Sequence, residues 1–142
     1  MKRDPALVSL SHDHHQALFV AQGLRRADRD DALERRDAFR AFWEGGGEAH
    51  FETEERVLLP AFAENGDSHA PVVLQVLGDH VELRCRARQV LAADPPDLDA
   101  LHALGERLTE HVRLEERELF PLVEAALPAE RLARLATELV RD

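Results

Sequence analysis

Apolar residues recur along the chain at spacings of three and four, the period of helices that bury one face. In the first run, Leu10, His14, Ala17, Ala21 and Leu24 share one stripe. The second gives Phe39, Trp43, Gly46, His50, Glu54, Val57 and Ala61, and the third Val73, Val76, His80, Leu83, Ala87 and Val90. The fourth gives Leu101, Leu104, Leu108, His111, Glu115, Leu119 and Leu122. No segment alternates with the period of two that marks a strand. The stops are chemical. Asn65-Gly66 suits a helix C-cap, Asp94-Pro95-Pro96 cannot continue a helix, and Pro128 suits a first turn. Helices are therefore predicted over 9–27, 31–63, 69–93 and 97–126, with a short fifth over 128–140. Short connections make neighbours antiparallel, so the expected fold is an all-α four-helix bundle with a short C-terminal fifth helix, one domain over 1–142. In the fifth helix, Leu132, Leu135 and Leu139 form a stripe that either covers the bundle or makes a dimer contact.

Every one of the four long stripes is interrupted by ionisable residues at core phase: His14, His50, Glu54, His80, His111 and Glu115. A buried carboxylate costs several kcal/mol unless it is paired or binds a metal. A cation among these side chains supplies the compensation and reverses the local electrostatics. The second and fourth helices also carry the same pattern, His-x3-Glu-Glu-Arg-x3-Pro, at 50–60 and 111–121, and the first and third share Asp13-His14 and Asp79-His80. The chain thus reads as two helical hairpins related by an approximate two-fold, with two equivalent donor sets face to face. Residues four apart lie on one helix face about 6 Å apart along the axis, so a His and its following Glu can serve one ion. A lone pair of this kind is more often an exposed ion pair, and a lone core histidine more often hydrogen-bonded. Here both copies fall on core stripes. Glu55, Glu116, Arg56 and Arg117 point away from that face and read as solvated residues or outer ion pairs. Asp13 and Asp79 either orient a neighbouring histidine or cap locally.

Composition narrows the classes. Hydrophobic residues make up 44% of the 142, enough for a core, and 28 acidic against 18 basic residues give a formal charge of -10. That balance argues against nucleic acid and against an anionic membrane surface. A single cysteine, Cys85, precludes an intrachain disulfide and fits a reducing cytoplasmic setting. No signal peptide or transmembrane span is expected. Tyrosine is absent, so no tyrosyl radical can take part.

With these motifs in view, the sequence resembles the hemerythrin-like, or HHE cation-binding, domain family. The resemblance rests on residues 11–18 (SHDHHQAL), the two His-x3-Glu-Glu blocks ending in Pro60 and Pro121, and Asp79-His80, and covers roughly 7–126. It implies an up-down-up-down bundle with a non-haem di-iron centre, and carries ligand roles to His14, His50, Glu54, His80, His111 and Glu115. Two positions depart from the oxygen-carrying members. Arg84 stands where they have a second histidine on the third helix, and Glu115, four residues after His111, replaces their Asp five residues on. Simple reversible oxygen transport is put in doubt by both. His15 is the alternative to His14, whose helical phase fits the core better.

Imidazole with carboxylate suits iron, zinc, manganese or copper, and a set without thiolate is unlike a closed structural zinc site. Four neutral imidazoles with two carboxylates leave a ferrous pair net positive, which favours the reduced pair and reversible binding of a small ligand; the expected cofactor is two non-haem iron ions, ahead of zinc or manganese. The expected partner is a small diatomic or peroxide ligand, with no nucleic acid and no membrane, and a homodimer is open. Three functions remain: a module that binds or senses oxygen, iron or a related ligand; a redox enzyme acting on peroxide or nitric oxide; and a structural bundle. Gly45-Gly46-Gly47 reads as a bulge, a close backbone approach leaving a path to the metals, or a loop. Cys85 is expected to be a packing residue, and His12, His69 and His102 surface or capping residues.

Overall fold

The computed structural model describes residues 2–140, and no strand occurs among them. A 3-10 turn at Pro5–Leu7 leads into α1 (Val8–Arg25). The second rod comprises α2 (Ala32–Phe42), α3 (Glu48–Thr53) and α4 (Leu59–Ala63), joined by wide turns at Trp43–Gly47 and Glu54–Leu58. The third rod is α5 (Pro71–Ala92), which starts at its proline and not at His69. The fourth joins α6 (Leu98–Leu114) to α7 (Phe120–Ala126) through a wide turn at Glu115–Leu119. The short α8 (Ala129–Val140) completes the chain's described part.

The four rods pack in a ring, α1 against α2 and α6, and α5 against α2 and α6, giving the expected bundle. The contact between α1 and α6 is the most extensive. It depends on Gly105, where a Cβ would lie 2.7 Å from the Ala21 carbonyl oxygen and 2.9 Å from the Arg25 nitrogen. Those are backbone atoms of α1 and cannot step aside. Gly105→Ala is therefore expected to destabilise the fold by about 1–3 kcal/mol through overpacking, despite the better helix former it introduces. Thermal or denaturant unfolding checks this, and a more stable variant would show the helices free to part.

The wide turns are π-turns, closed by bonds five residues apart: Leu59 N–H to the Glu54 carbonyl and Phe120 N–H to the Glu115 carbonyl. Each is followed directly by a proline, Pro60 or Pro121. In a regular helix the proline ring would meet the carbonyl four residues back. A turn one residue wider removes that conflict, and such turns recur at functional sites. The extra residue also corrects the predicted stripes. Val57 and Leu122 are only half-buried, and the neighbouring Leu58 and Val123 take their core places. At the third π-turn Gly46 has φ 146°, a conformation closed to most L side chains, and Gly47 replaces it as the buried glycine. The Gly45-Gly46-Gly47 segment is thus a bulge within the rod, not a loop.

The apolar core falls into two clusters. One gathers Leu7, Leu58, Phe62, Val76, Leu119, Phe120 and Val123. Leu132, Leu135 and Leu139 of α8 are buried in it, so that helix covers the bundle end. The other gathers Leu24, Phe39, Leu83, Leu101 and Leu104. Between the two lies a layer of buried polar side chains. Cys85 departs from its expected packing role and is exposed, because its α5 position faces away from both clusters.

Candidate metal centre

The polar layer contains all six predicted side chains. His14, His50, Glu54, His80, His111 and Glu115 are buried, with both glutamates 0% exposed. They form two groups of four whose donor atoms lie within 4.8 Å of one another: His14, His50, Glu54 and Glu115, and Glu54, His80, His111 and Glu115. Both glutamates belong to both groups. His15, the alternative to His14, is exposed on the outer face of α1. His12 and His69 are also exposed, and the His102 ring bonds the Ala27 carbonyl oxygen at 2.7 Å.

All four imidazoles point Nε2 inward. His14 Nε2 lies 2.8 Å from Glu115 Oε1, and His80 Nε2 lies 3.1 Å from Glu54 Oε1. His50 Nε2 lies 3.2 Å from Glu54 Oε2, and His111 Nε2 lies 3.1 Å from Glu115 Oε2. Each glutamate thereby divides its two oxygens between the two groups, the disposition of a bridging carboxylate.

The outer nitrogens are held as uniformly. His14 Nδ1 meets Glu116 at 2.6 Å and His80 Nδ1 meets Glu55 at 2.6 Å, each across the hairpins. His50 Nδ1 meets Asp13 at 3.1 Å and His111 Nδ1 meets Asp79 at 3.0 Å, each within its hairpin. With its proton on Nδ1, each ring donates to a carboxylate and turns the Nε2 lone pair toward the centre. This arrangement fixes ring orientation and raises basicity in metal sites. Glu55 and Glu116 are therefore the outer pairs, not solvated residues, and Asp13 and Asp79 orient histidines and do not cap. Arg56 and Arg117 are exposed.

A further ring of contacts holds three of those carboxylates. Arg84 bonds Glu55 at 2.8 Å, so the residue that departs from the oxygen carriers anchors the partner of His80. Arg107 at 2.9 Å and Gln75 at 2.7 Å bond Asp79. Arg3 at 3.2 Å and Ser11 at 2.7 Å bond Glu116. The phenyl rings follow the same two-fold: His80 stacks on Phe51 and His14 on Phe120, with Arg84 and Arg3 over the outer faces. Sequence reasoning missed Arg3, Arg84, Arg107 and Gln75, which lie on other elements from the carboxylates they hold, apart from Gln75, one turn before Asp79 on α5.

Electrostatics point to a missing positive charge. Burial opposes protonation of His111, yet Glu115, the Asp79 hydrogen bond and Glu54 hold its pKa up at about 10. His50 is raised well above its ordinary value against burial by Glu54, Asp13 and Glu115. His14 and His80 are also raised despite burial, by the glutamates they bond. Burial pushes Glu116 up, but bonds from His14 and Ser11 prevail and bring it to about 2. Even so, His50 Nε2, His111 Nε2, Glu54 Oε2 and Glu115 Oε2 are buried without a hydrogen-bond partner among the described residues. Such orphaned atoms are rare in proteins. All four belong to the six, two from each side of the layer, and cations bound among them would satisfy every one. The donor set therefore fits a metal centre.

The model of the family described as Hemerythrin HHE cation binding domain matches residues 6–123. No curated protein and no solved structure gives a match.

Proposed function

Given that the chain belongs to the hemerythrin HHE cation binding domain family, we propose that the buried layer holds two iron ions and that the protein binds or senses oxygen, iron or a related small ligand there. The observation that carries this reading is the sharing of Glu54 and Glu115 between two four-donor groups, one carboxylate oxygen to each side. His14 and His50 would hold one ion, His80 and His111 the other, and the two glutamates both. When bound, an iron pair supplies a reversible change of oxidation state and positions left open by a donor set of only four side chains per ion.

The chain's own contribution is to hold the donors in register and to shield the layer on two sides. Two apolar clusters exclude water above and below the layer. Asp13, Asp79, Glu55 and Glu116 keep the imidazoles in the tautomer that leaves Nε2 free. Two phenyl rings fix the planes of His14 and His80. No cysteine is near the donors, consistent with iron in preference to a thiolate zinc site.

The test is metal analysis of protein purified without added metal, followed by its absorption spectrum as oxygen and then peroxide are admitted. About two irons per chain and a spectrum that reverses when oxygen is withdrawn are expected. Turnover of peroxide would turn the reading to an enzyme, and zinc alone would reject iron.

A further inference from the structure

The outer face of α5, turned away from the metal layer, is apolar where the bundle's other outer faces are not. Leu74, Leu77 and Val81 are 51%, 38% and 70% exposed and adjoin one another on that face. The other exposed large apolar residues, Val8, Phe19, Leu33 and Val140, are dispersed over α1, α2 and α8. Single exposed apolar residues are ordinary, but a contiguous row marks a contact surface. The row also has a register. Pro71, Leu74, Gly78, Val81, Cys85 and Arg88 are all exposed and follow one another at alternating steps of three and four. That average of 3.5 is the repeat of a helix whose seam stays in contact with a second helix along its length.

Gly78 lies within this seam and has no role inside the chain. Nothing stands within 4 Å of where its Cβ would be. A glycine inside a helix weakens it relative to alanine, and the fold gains nothing in return at this position. An approaching helix would gain, because the distance between two helix axes depends on the side chains at their closest point.

Charge selects the occupant and its direction. The C-terminal half of α5 carries Arg84, Arg86 and Arg88. Arg84 and Arg86 are bound to Glu55 and Glu82 of their own copy, which leaves Arg88 for a neighbour. Before the N-terminus of α5 stands Asp67, exposed, with one carboxylate oxygen taken by the His69 N–H. A parallel pair of α5 helices would set the arginines against each other. An antiparallel pair centred on Gly78 sets Arg88, about 15 Å from the centre, level with Ser68 and Asp67 of the second copy. The face is thus complementary to itself under a two-fold, as a symmetric dimer requires.

We propose that this face of α5 is a self-association surface, on which two copies of the chain pack antiparallel across Gly78, with Leu74 of each copy beside Val81 of the other and Arg88 of each facing Asp67. One helix pair covers less area than a permanent dimer, so the association is reversible. The surface goes beyond the metal reading and does not require it.

Sedimentation equilibrium of the protein as purified, from about 1 μM to 1 mM, tests this, with a monomer–dimer equilibrium expected in that range. Val81→Glu changes an exposed side chain and should weaken the dimer by about tenfold or more. Gly78→Gln should weaken it similarly, while raising the thermal midpoint of the dilute, monomeric protein, since glutamine is the better helix former. That opposite response separates a contact between copies from damage to the fold. Arg88→Glu should also weaken the dimer, and Asp67→Lys added to it should restore the affinity. A monomer throughout, or a dimer indifferent to both Val81→Glu and Gly78→Gln, would overturn the surface. A charge exchange that does not restore the affinity would overturn the antiparallel pairing.

Discussion

Glu115→Ala is expected to abolish metal binding in both halves of the centre at once, whereas His80→Ala should leave about half of the wild-type content. The difference follows from membership. Glu115 contributes to both four-donor groups, and His80 to one. Metal that binds only the folded state stabilises it by about 4 kcal/mol when present at a thousand times its dissociation constant. Loss of that linkage should lower the unfolding midpoint by roughly 10–15 °C in metal-containing buffer. Glu115→Gln separates this effect from damage to the fold, since it keeps the shape and removes the charge that His14 and His111 face. Metal per chain, by elemental analysis, and unfolding with and without a chelator provide the measurement. Wild-type metal content in Glu115→Ala would remove the centre from the protein.

Freed of metal, the protein should be most stable in mildly acidic solution and should weaken steadily as the pH rises. The folded pKa of His111 is about 10 against an ordinary 6.5, and those of His14, His50 and His80 are raised in the same direction. The folded state thus retains protons that the unfolded chain gives up. Their stabilisation is complete below 6.5 and is lost as the pH climbs through the folded values, ending near 10 for His111. The carboxylates act at the other end. Glu116 titrates at about 2 instead of 4.5, and Asp13, Glu55, Asp79 and Glu115 are also lowered. Their contribution is complete above the ordinary carboxylate range and is lost as the pH falls through the folded values. The optimum of the metal-free protein therefore lies between 4.5 and 6.5.

Metal reverses the upper limb. It requires imidazoles without the Nε2 proton, so its affinity rises with pH over the range in which the metal-free protein weakens. The gap between loaded and stripped unfolding midpoints should widen from pH 6.5 upward, by an amount on the order of a few kcal/mol. Unfolding curves collected across pH with chelator and with saturating metal test this, together with proton release in a weakly buffered metal titration. Metal-free stability that is flat from 6.5 to 10 would show that the histidines are not held protonated by the carboxylates.

Much of this protein could be read from one dimension. Helical periodicity placed five rods, and Pro71, Pro96 and Pro128 lie close to their ends, because a missing N–H and a fixed φ act locally. The six inward donors were legible because a charge at core phase is too costly to occur by accident, and the His-x3-Glu-Glu repeat showed it happening twice. Val57 and Leu122 mark where that reading slipped. A fixed period assumes a uniform helix, and the π-turns that Pro60 and Pro121 favour each add one residue to the count.

The outer layers were decided by tertiary structure alone. Glu55 serves His80 across one helix interface and Glu116 serves His14 across another, and nothing local distinguishes them from solvated glutamates. Arg84 and Arg3, which hold these carboxylates, and Arg107, which holds Asp79, stand at positions with no motif of their own. Periodicity and burial cost act along a single helix and so are written in the sequence. Hydrogen bonds between side chains depend on where separate helices are brought together, which only the packed bundle determines.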